Sequence, residues 1–468
     1  MAKRISRNIA GRELLLLALA TVTLATGAVL QAWNGPHLVA LTLRWLSVLL
    51  LAAFAVGRKK LTPWIFVAMV AGAEFGFDAP HAAVQLRVFS DIFLRLIKSI
   101  VAPLILSTLV VGIAGHGDLK GVGRMGLKSL IYFEVVTTLA LVVGLVAINV
   151  TKAGVGLSLA AQPAAQAVVA APPPTHWDDF LLHVFPENIA KSIAEGQILQ
   201  VAVFAVFFGI ALATLSESKR APLLHLCESL SEVMFRFTNV VMYFAPFAVG
   251  GAMAYTVGHM GLGVLGNLVK LLLTLYGALA LFGVLVLLPA ALLFRVPVAR
   301  FLAAVAEPAT IAFATATSEA ALPPAMEQME ALGVPRRIVA FVIPIGYSFN
   351  LDGSTLYLAV ATIFVAQAGG MHLTIAQQIP ILLTLLLTSK GIAGVPRAML
   401  VVLSATAVTF GLPSEPIFLI LGIDALMDMA RTMVNVVGNC LASVVVAQWE
   451  GQFGKERPSE AVLEGVSE

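Results

Sequence analysis

The chain has 468 residues, 59% hydrophobic and only 12% charged, with a formal net charge of +3. Soluble globular chains hold roughly 45–50% apolar and about 25% charged residues, so a mean hydropathy of +0.94 excludes that class and indicates an all-α integral membrane protein. Two cysteines without motif spacing and eight scattered histidines argue against a disulfide framework or a metal site, and the modest charge gives no basis for a nucleic-acid partner.

Apolar runs predict helices at about 13–33, 37–57, 61–78, 88–115, 124–150, 197–215, 223–257 and 262–294. The first run is too long for the apolar stretch of a signal peptide and is followed at once by a second. Residues 1–60 therefore read as a retained transmembrane hairpin. Gly121 to Ser129 is a near miss for a phosphate loop, with Lys128 one place late and no soluble βα context. Residues 151–195 form the largest loop, Ala/Pro-rich up to Pro172-Pro173-Pro174, and read as a linker.

Beyond residue 297 the pattern changes to four polar-interrupted segments, 297–328, 334–368, 374–412 and 414–448. The first and third are broken by similar small-residue stretches, Thr317-Ser318-Glu319-Ala320-Ala321-Leu322-Pro323 and Thr388-Ser389-Lys390-Gly391-Ile392-Ala393-Gly394-Val395-Pro396. Each break is followed by a polar helix. Interrupted segments at matching positions of two halves point to a transporter binding site. Lys and Arg cluster at the N-terminus, after the second and fourth helices, and in alternate later loops. By the positive-inside rule both termini are cytoplasmic. The interrupted segments then read as re-entrant hairpins, and residues after 452 as a short disordered tail.

The last segment carries Asp424, Asp428, Arg431, Asn435 and Asn439. At about 100° per residue they share one helix face, within a sector of roughly 80°. Ionisable groups in a bilayer cost about 2.5–3.5 kcal/mol each on insertion scales, so this face should meet a small charged ligand. Arg431 offers a fork to a carboxylate and Asp428 can accept an ammonium. The competing reading is an i,i+3 ion pair between them. Asp424 is placed to support Arg431 rather than to touch ligand. In the second segment, Asn350-Leu351-Asp352-Gly353-Ser354 predicts an unwound turn with the oxygen ligands that a hard cation needs.

These stretches together resemble the dicarboxylate/amino-acid:cation symporter family that includes the glutamate transporters. The matching motifs are Ala316–Pro323, Asn350–Ser354, Ser389–Pro396 and Asp428–Asn435. The resemblance is specific over 310–451 and extends more weakly back to about residue 61. It implies an eight-helix core with two re-entrant hairpins and inverted repeats, with residues 1–60 as an extra N-terminal hairpin. It further implies a homotrimer in the inner membrane, with scaffold helices at about 61–115 and 197–257. Transport elements at about 124–150 and 262–448 would move elevator-fashion, with the second hairpin as gate. By position, Thr317, Ser318, Gly394 and Asn435 would hold the substrate α-carboxylate. Asp428 and Thr432 would hold the amino group and Arg431 the side-chain carboxylate, with Ser354 close by. Gly346, Asn350, Asp352, Asn435 and Asn439 would map to cation positions, with Thr137 a candidate from an earlier helix.

Two departures bear on the coupling ion. Sodium-coupled members usually carry aspartate where this chain has Asn439, and methionine where it has Leu351. The pattern looks most like the bacterial proton-coupled glutamate/aspartate carriers, with no cofactor and with sodium as the alternative ion. Glu134 or Asp352 would take part in proton coupling. Dicarboxylate carriers of the family tend to lack the aspartate found here as Asp428, so the expected substrate is an acidic amino acid, with a C4-dicarboxylate as runner-up. An intramembrane aspartyl protease built on Asp352 and Asp424 would need a Gly-x-Gly-Asp motif, which is absent, and would leave Arg431 without a role.

Overall fold

The computed structural model describes residues 2–58, 61–115, 123–157, 182, 185–195, 197–389 and 398–455. All regular structure among them is helical. Seven helical stretches there are long and apolar enough to cross a bilayer, so this is a multi-pass membrane protein. The described residues fall into two compact units.

The first unit holds 1–96, 240–266 and 418–425. Helices α1 (Ala2–Ala32) and α2 (His37–Arg58) pack as a pair, and α2 packs on α3 (Leu61–Asp78). The short α4 (Pro80–Gln85) leads into α5 (Arg87–Ala114). Helix α3 also lies against the segment Ala245–Met260. Their approach is set by small residues four apart, Gly72 and Gly76 on one helix and Gly250, Ala254 and Gly258 on the other. In lipid, where apolar residues gain nothing from leaving water, such close backbone contact is what drives helix association. A Cβ added at Gly72 would strike the Gly250 carbonyl, whereas one at Gly57 meets nothing within 4 Å. Gly72→Val should therefore cost about 1–3 kcal/mol by overpacking, read as a lowered thermal midpoint in detergent, while Gly57→Ala stays near the parent.

The second unit holds 97–239, 267–417 and 426–468. It contains most of α5, α6 (Gly123–Thr151), α7 (Ile189–Glu195), α8 (Ile198–Ala213) and most of α9 (Glu217–Met242). The run predicted as one helix over 223–257 is two, α9 and α10 (Ala245–Met260), broken at Tyr243-Phe244. Pro246 in the first turn of α10 has no N–H to continue the ladder. Helix α11 (Gly263–Phe282) passes through a π-helical turn, Gly283–Leu287, into α12 (Leu288–Leu293). Pro289 again removes a donor, and Leu288 N–H bonds to Gly283 five residues back.

The first interrupted segment is helix–break–helix. Helix α13 (Val298–Thr315) ends at Ala316 in the left-handed region (φ 52°, ψ 31°). A bend and a 3₁₀ turn (Glu319–Ala321) lead into α14 (Leu322–Leu332), which packs on α13. Pro323 sits in its first turn, where a missing N–H is harmless. Helix α17 (Ile375–Thr388) opens with a capping box between Thr374 and Gln377, and α18 (Ala398–Thr409) packs against it. Between them in sequence order come α15 (Arg336–Phe349) and α16 (Asp352–Ala368), and α19 (Glu415–Trp449) closes the set.

Candidate substrate and coupling site

The site lies in the second unit, where the break between α15 and α16 faces α19. Asn350 (φ −118°, ψ 66°) and Leu351 (φ −97°, ψ 59°) leave the helical region. Helix α16 restarts with Asp352 in its first turn, where a carboxylate complements the helix dipole. Nearly every residue of α16 is buried.

Three buried side chains meet at this break. Asn350, Asp352 and Asn439 are each 0% exposed. Asn350 Nδ2 donates to Asn439 Oδ1 at 3.1 Å and to Asp352 Oδ2 at 3.3 Å. Among the described residues, Asn350 Oδ1 and Asn439 Nδ2 have no hydrogen-bond partner. A buried amide oxygen left in this way costs about 1–3 kcal/mol, which fits oxygen ligands arranged for a cation or for water. Glycine makes the approach possible. A Cβ at Gly346 would strike Asn439 Oδ1, and one at Gly438 would strike Asp352 Oδ2. Gly438→Ala should therefore cost about 1–3 kcal/mol by overpacking, read as a lowered thermal midpoint in detergent.

One turn from this cluster, Ser354 N–H donates to Asn435 Oδ1 at 3.1 Å and Asn435 Nδ2 donates to Ser354 Oγ at 2.9 Å. The two-way contact fixes the Asn435 amide and ties α16 to α19. Gly353 lets the Arg431 backbone lie directly against it. Further along α19, Arg431 (2% exposed) and Asp428 (4% exposed) are paired. Arg431 Nη2 and Nε lie 2.8 and 2.9 Å from Asp428 Oδ1, and Thr432 Oγ1 donates to the same oxygen at 3.1 Å. The guanidinium also stacks over the Tyr357 ring at 4.6 Å. Tyr276 Oη, from α11, donates to the Leu426 carbonyl at 2.9 Å, just ahead of this pair.

The expected residues are thus distributed unevenly. Gly346, Asn350, Asp352, Ser354, Asp428, Arg431, Thr432, Asn435 and Asn439 line one buried region of α15, α16 and α19. Asp424 is also fully buried on α19 but belongs to the first unit. Thr317 and Ser318 sit half-buried in the bend after α13. The Thr317 hydroxyl bonds to Thr315 Oγ1 at 3.1 Å, and among the described residues no hydrogen bond joins Thr317 or Ser318 to α16 or α19. Gly394 lies outside the described residues. On α6, Thr137 is buried, its hydroxyl donating to Phe133 O at 2.7 Å, whereas Glu134 is exposed. The structure adds residues that spacing did not single out. Tyr357 stacks on Arg431, and Gly353 and Gly438 permit close backbone approach.

Residues 61–449 match the model of the sodium:dicarboxylate symporter family. The chain is 42% identical over 416 residues to the proton/sodium-glutamate symport protein of Geobacillus stearothermophilus, covering 87% of this chain and 99% of the relative. It is 44% identical over 377 residues to the proton/glutamate-aspartate symporter of Escherichia coli K12, covering 78% and 86%. It is also 42% identical over 418 residues to a C4-dicarboxylate transport protein of Anaeromyxobacter sp. strain K, covering 87% and 93%.

Proposed function

The chain belongs to the sodium:dicarboxylate symporter family, and on that premise we propose that it is a secondary active transporter importing glutamate or aspartate by cation symport. The observation that carries this reading is the buried pair of Asp428 and Arg431 on one face of α19, with Thr432 bonded to the same carboxylate oxygen. An acidic amino acid brings a carboxylate and an ammonium at opposite ends. Its side-chain carboxylate takes the Arg431 fork, and its ammonium takes Asp428 and Thr432. The exchange leaves both charges of the pair with a partner, and the substrate's α-carboxylate falls to neutral hydrogen-bond donors. A C4-dicarboxylate would set its second carboxylate against Asp428, a like-charge contact in a dry site. Ser354 and Asn435, with Thr317, Ser318 and Gly394 from the two breaks, complete the substrate shell.

Coupling is assigned to the cluster at the helix break. Asp352 is the carboxylate there, with Asn350, Asn439 and the Gly346 turn around it, and Thr137 as a further oxygen. We take the proton as the coupling ion and sodium as the alternative. Asn439 is an amide where a second carboxylate would add the negative charge that favours a metal cation. Asn439→Asp should accordingly make uptake respond to sodium, checked by varying external sodium at fixed pH. Glu134, exposed on α6, is the weaker proton carrier of the two candidates. Three copies would assemble in the inner membrane with cytoplasmic termini, and transport elements at about 124–150 and 262–448 would move against helices at about 61–115 and 197–257.

The test of substrate class is competition in proteoliposomes. Radiolabelled L-aspartate uptake should be displaced by L-glutamate and little by succinate. Succinate uptake without aspartate uptake would overturn the amino-acid assignment and leave the family unchanged.

A further inference from the structure

Residues 1–60 lie outside the family match, which begins at 61, yet they meet the first core helix through charge. Arg44 on α2 is 3% exposed. Its Nη1 lies 2.5 Å from Glu74 Oε2 and its Nη2 2.6 Å from Asp78 Oδ1, both on α3. Trp45 Nε1 donates to the other Asp78 oxygen at 2.9 Å, and the guanidinium lies over the Phe77 ring at 4.9 Å. From the far side, Gly27 of α1 brings its backbone against Arg44, where a Cβ would collide with Arg44 Cγ and the Ala40 carbonyl. One side chain is therefore held by α1, α2 and α3 at once.

The remaining contact between α2 and α3 is apolar, with Val48, Ala55 and Val67 at its centre and Leu51, Ala52, Val70 and Ala71 around them. Among lipid tails such surfaces have no hydrophobic driving force, and the two residues between Arg58 and Leu61 restrict sliding of α2 along α3 more than its rotation. A buried ion pair is a weak source of net stability, but its best-attested use is to fix register. The fork geometry of arginine matches two carboxylates four residues apart on α3, which a lysine point charge would not. We infer that Arg44, Glu74 and Asp78 form a registry key: they seat the N-terminal hairpin on α3 of its own chain in a single alignment. The face of α3 that carries Glu74 and Asp78 is thus a docking surface, and its occupant is α2 in cis.

The test is cross-linking in the full-length chain with Cys227 and Cys440 replaced by alanine. Ala52→Cys is combined in turn with Val67→Cys, Val70→Cys or Ala71→Cys, and disulfide yield is read in membranes. With the key intact, one pair should dominate. Arg44→Leu should spread the yield over several pairs, because losing one partner of a buried ion pair shifts an equilibrium by roughly a hundredfold or more. Arg44→Lys should fall between the two. The exchange of charges, Arg44→Glu with Glu74→Arg, should restore one dominant pair, which a variant that merely fails to fold would not do. An unchanged single pair in Arg44→Leu overturns the inference. So does the absence of any dominant pair in the parent, or cross-links formed between differently tagged copies. The outcome does not depend on which substrate is carried.

Discussion

Arg431→Cys is expected to abolish glutamate and aspartate uptake while leaving the protein in the membrane. The guanidinium is 2% exposed, shares Asp428 Oδ1 at 2.8 and 2.9 Å, and stacks on Tyr357. Its removal takes the fork away from the substrate's side-chain carboxylate and leaves Asp428 buried with Thr432 as its remaining donor. Removing one partner of a buried charge pair costs about 3–5 kcal/mol. That is at least two decades in the transition-state stabilisation that sets uptake efficiency. Asp428 remains to hold an ammonium, so small neutral amino acids should retain or gain uptake. Glutamate uptake at the parent rate in this variant would refute the role given to Arg431. Unchanged membrane level, read by blotting, separates a transport defect from misfolding.

Asp352→Asn is expected to uncouple transport. Asp352 is fully buried, receives Asn350 Nδ2 at 3.3 Å, and is packed against Gly438. The change preserves size and hydrogen bonding but removes the charge that a proton or cation would neutralise. A carboxylate can take up and release a proton or a cation and an amide cannot, which is the property a coupling group requires. Gradient-driven accumulation should fall by tenfold or more, whereas exchange of internal for external aspartate, which needs no net ion movement, should persist. Full gradient-driven uptake in Asp352→Asn would move the coupling role elsewhere, with Glu134 the next residue to change.

The polar face of α19 was legible because helical periodicity is local: five residues at spacings of 4, 3, 4 and 4 among apolar neighbours define a face without any knowledge of partners. The breaks after Thr315 and Phe349 were legible for the same reason, since Pro323, Gly353 and their polar neighbours interrupt otherwise apolar runs. The long helix predicted over 223–257 was not divided, because its apolar pattern continues through Tyr243-Phe244 and only Pro246 marks the stop. What stayed hidden depends on helices far apart in sequence. Nothing local reveals that Tyr357 stacks on Arg431, that Gly438 makes room for Asp352, or that Asn435 exchanges hydrogen bonds with Ser354. Nor does spacing tell Thr137, which turns inward on α6, from Glu134, which turns outward three residues earlier. Nor does anything local in α2 reveal that Arg44 meets Glu74 and Asp78 on α3.

Uptake of radiolabelled L-aspartate by purified protein in proteoliposomes, with an inward proton gradient or an inward sodium gradient imposed separately, tests symport and its coupling ion together. Aspartate should accumulate above the external concentration when the proton gradient is present, with sodium dispensable. Accumulation that requires sodium and ignores the proton gradient would contradict the ion assignment. Aspartate that only equilibrates under either gradient would contradict symport itself.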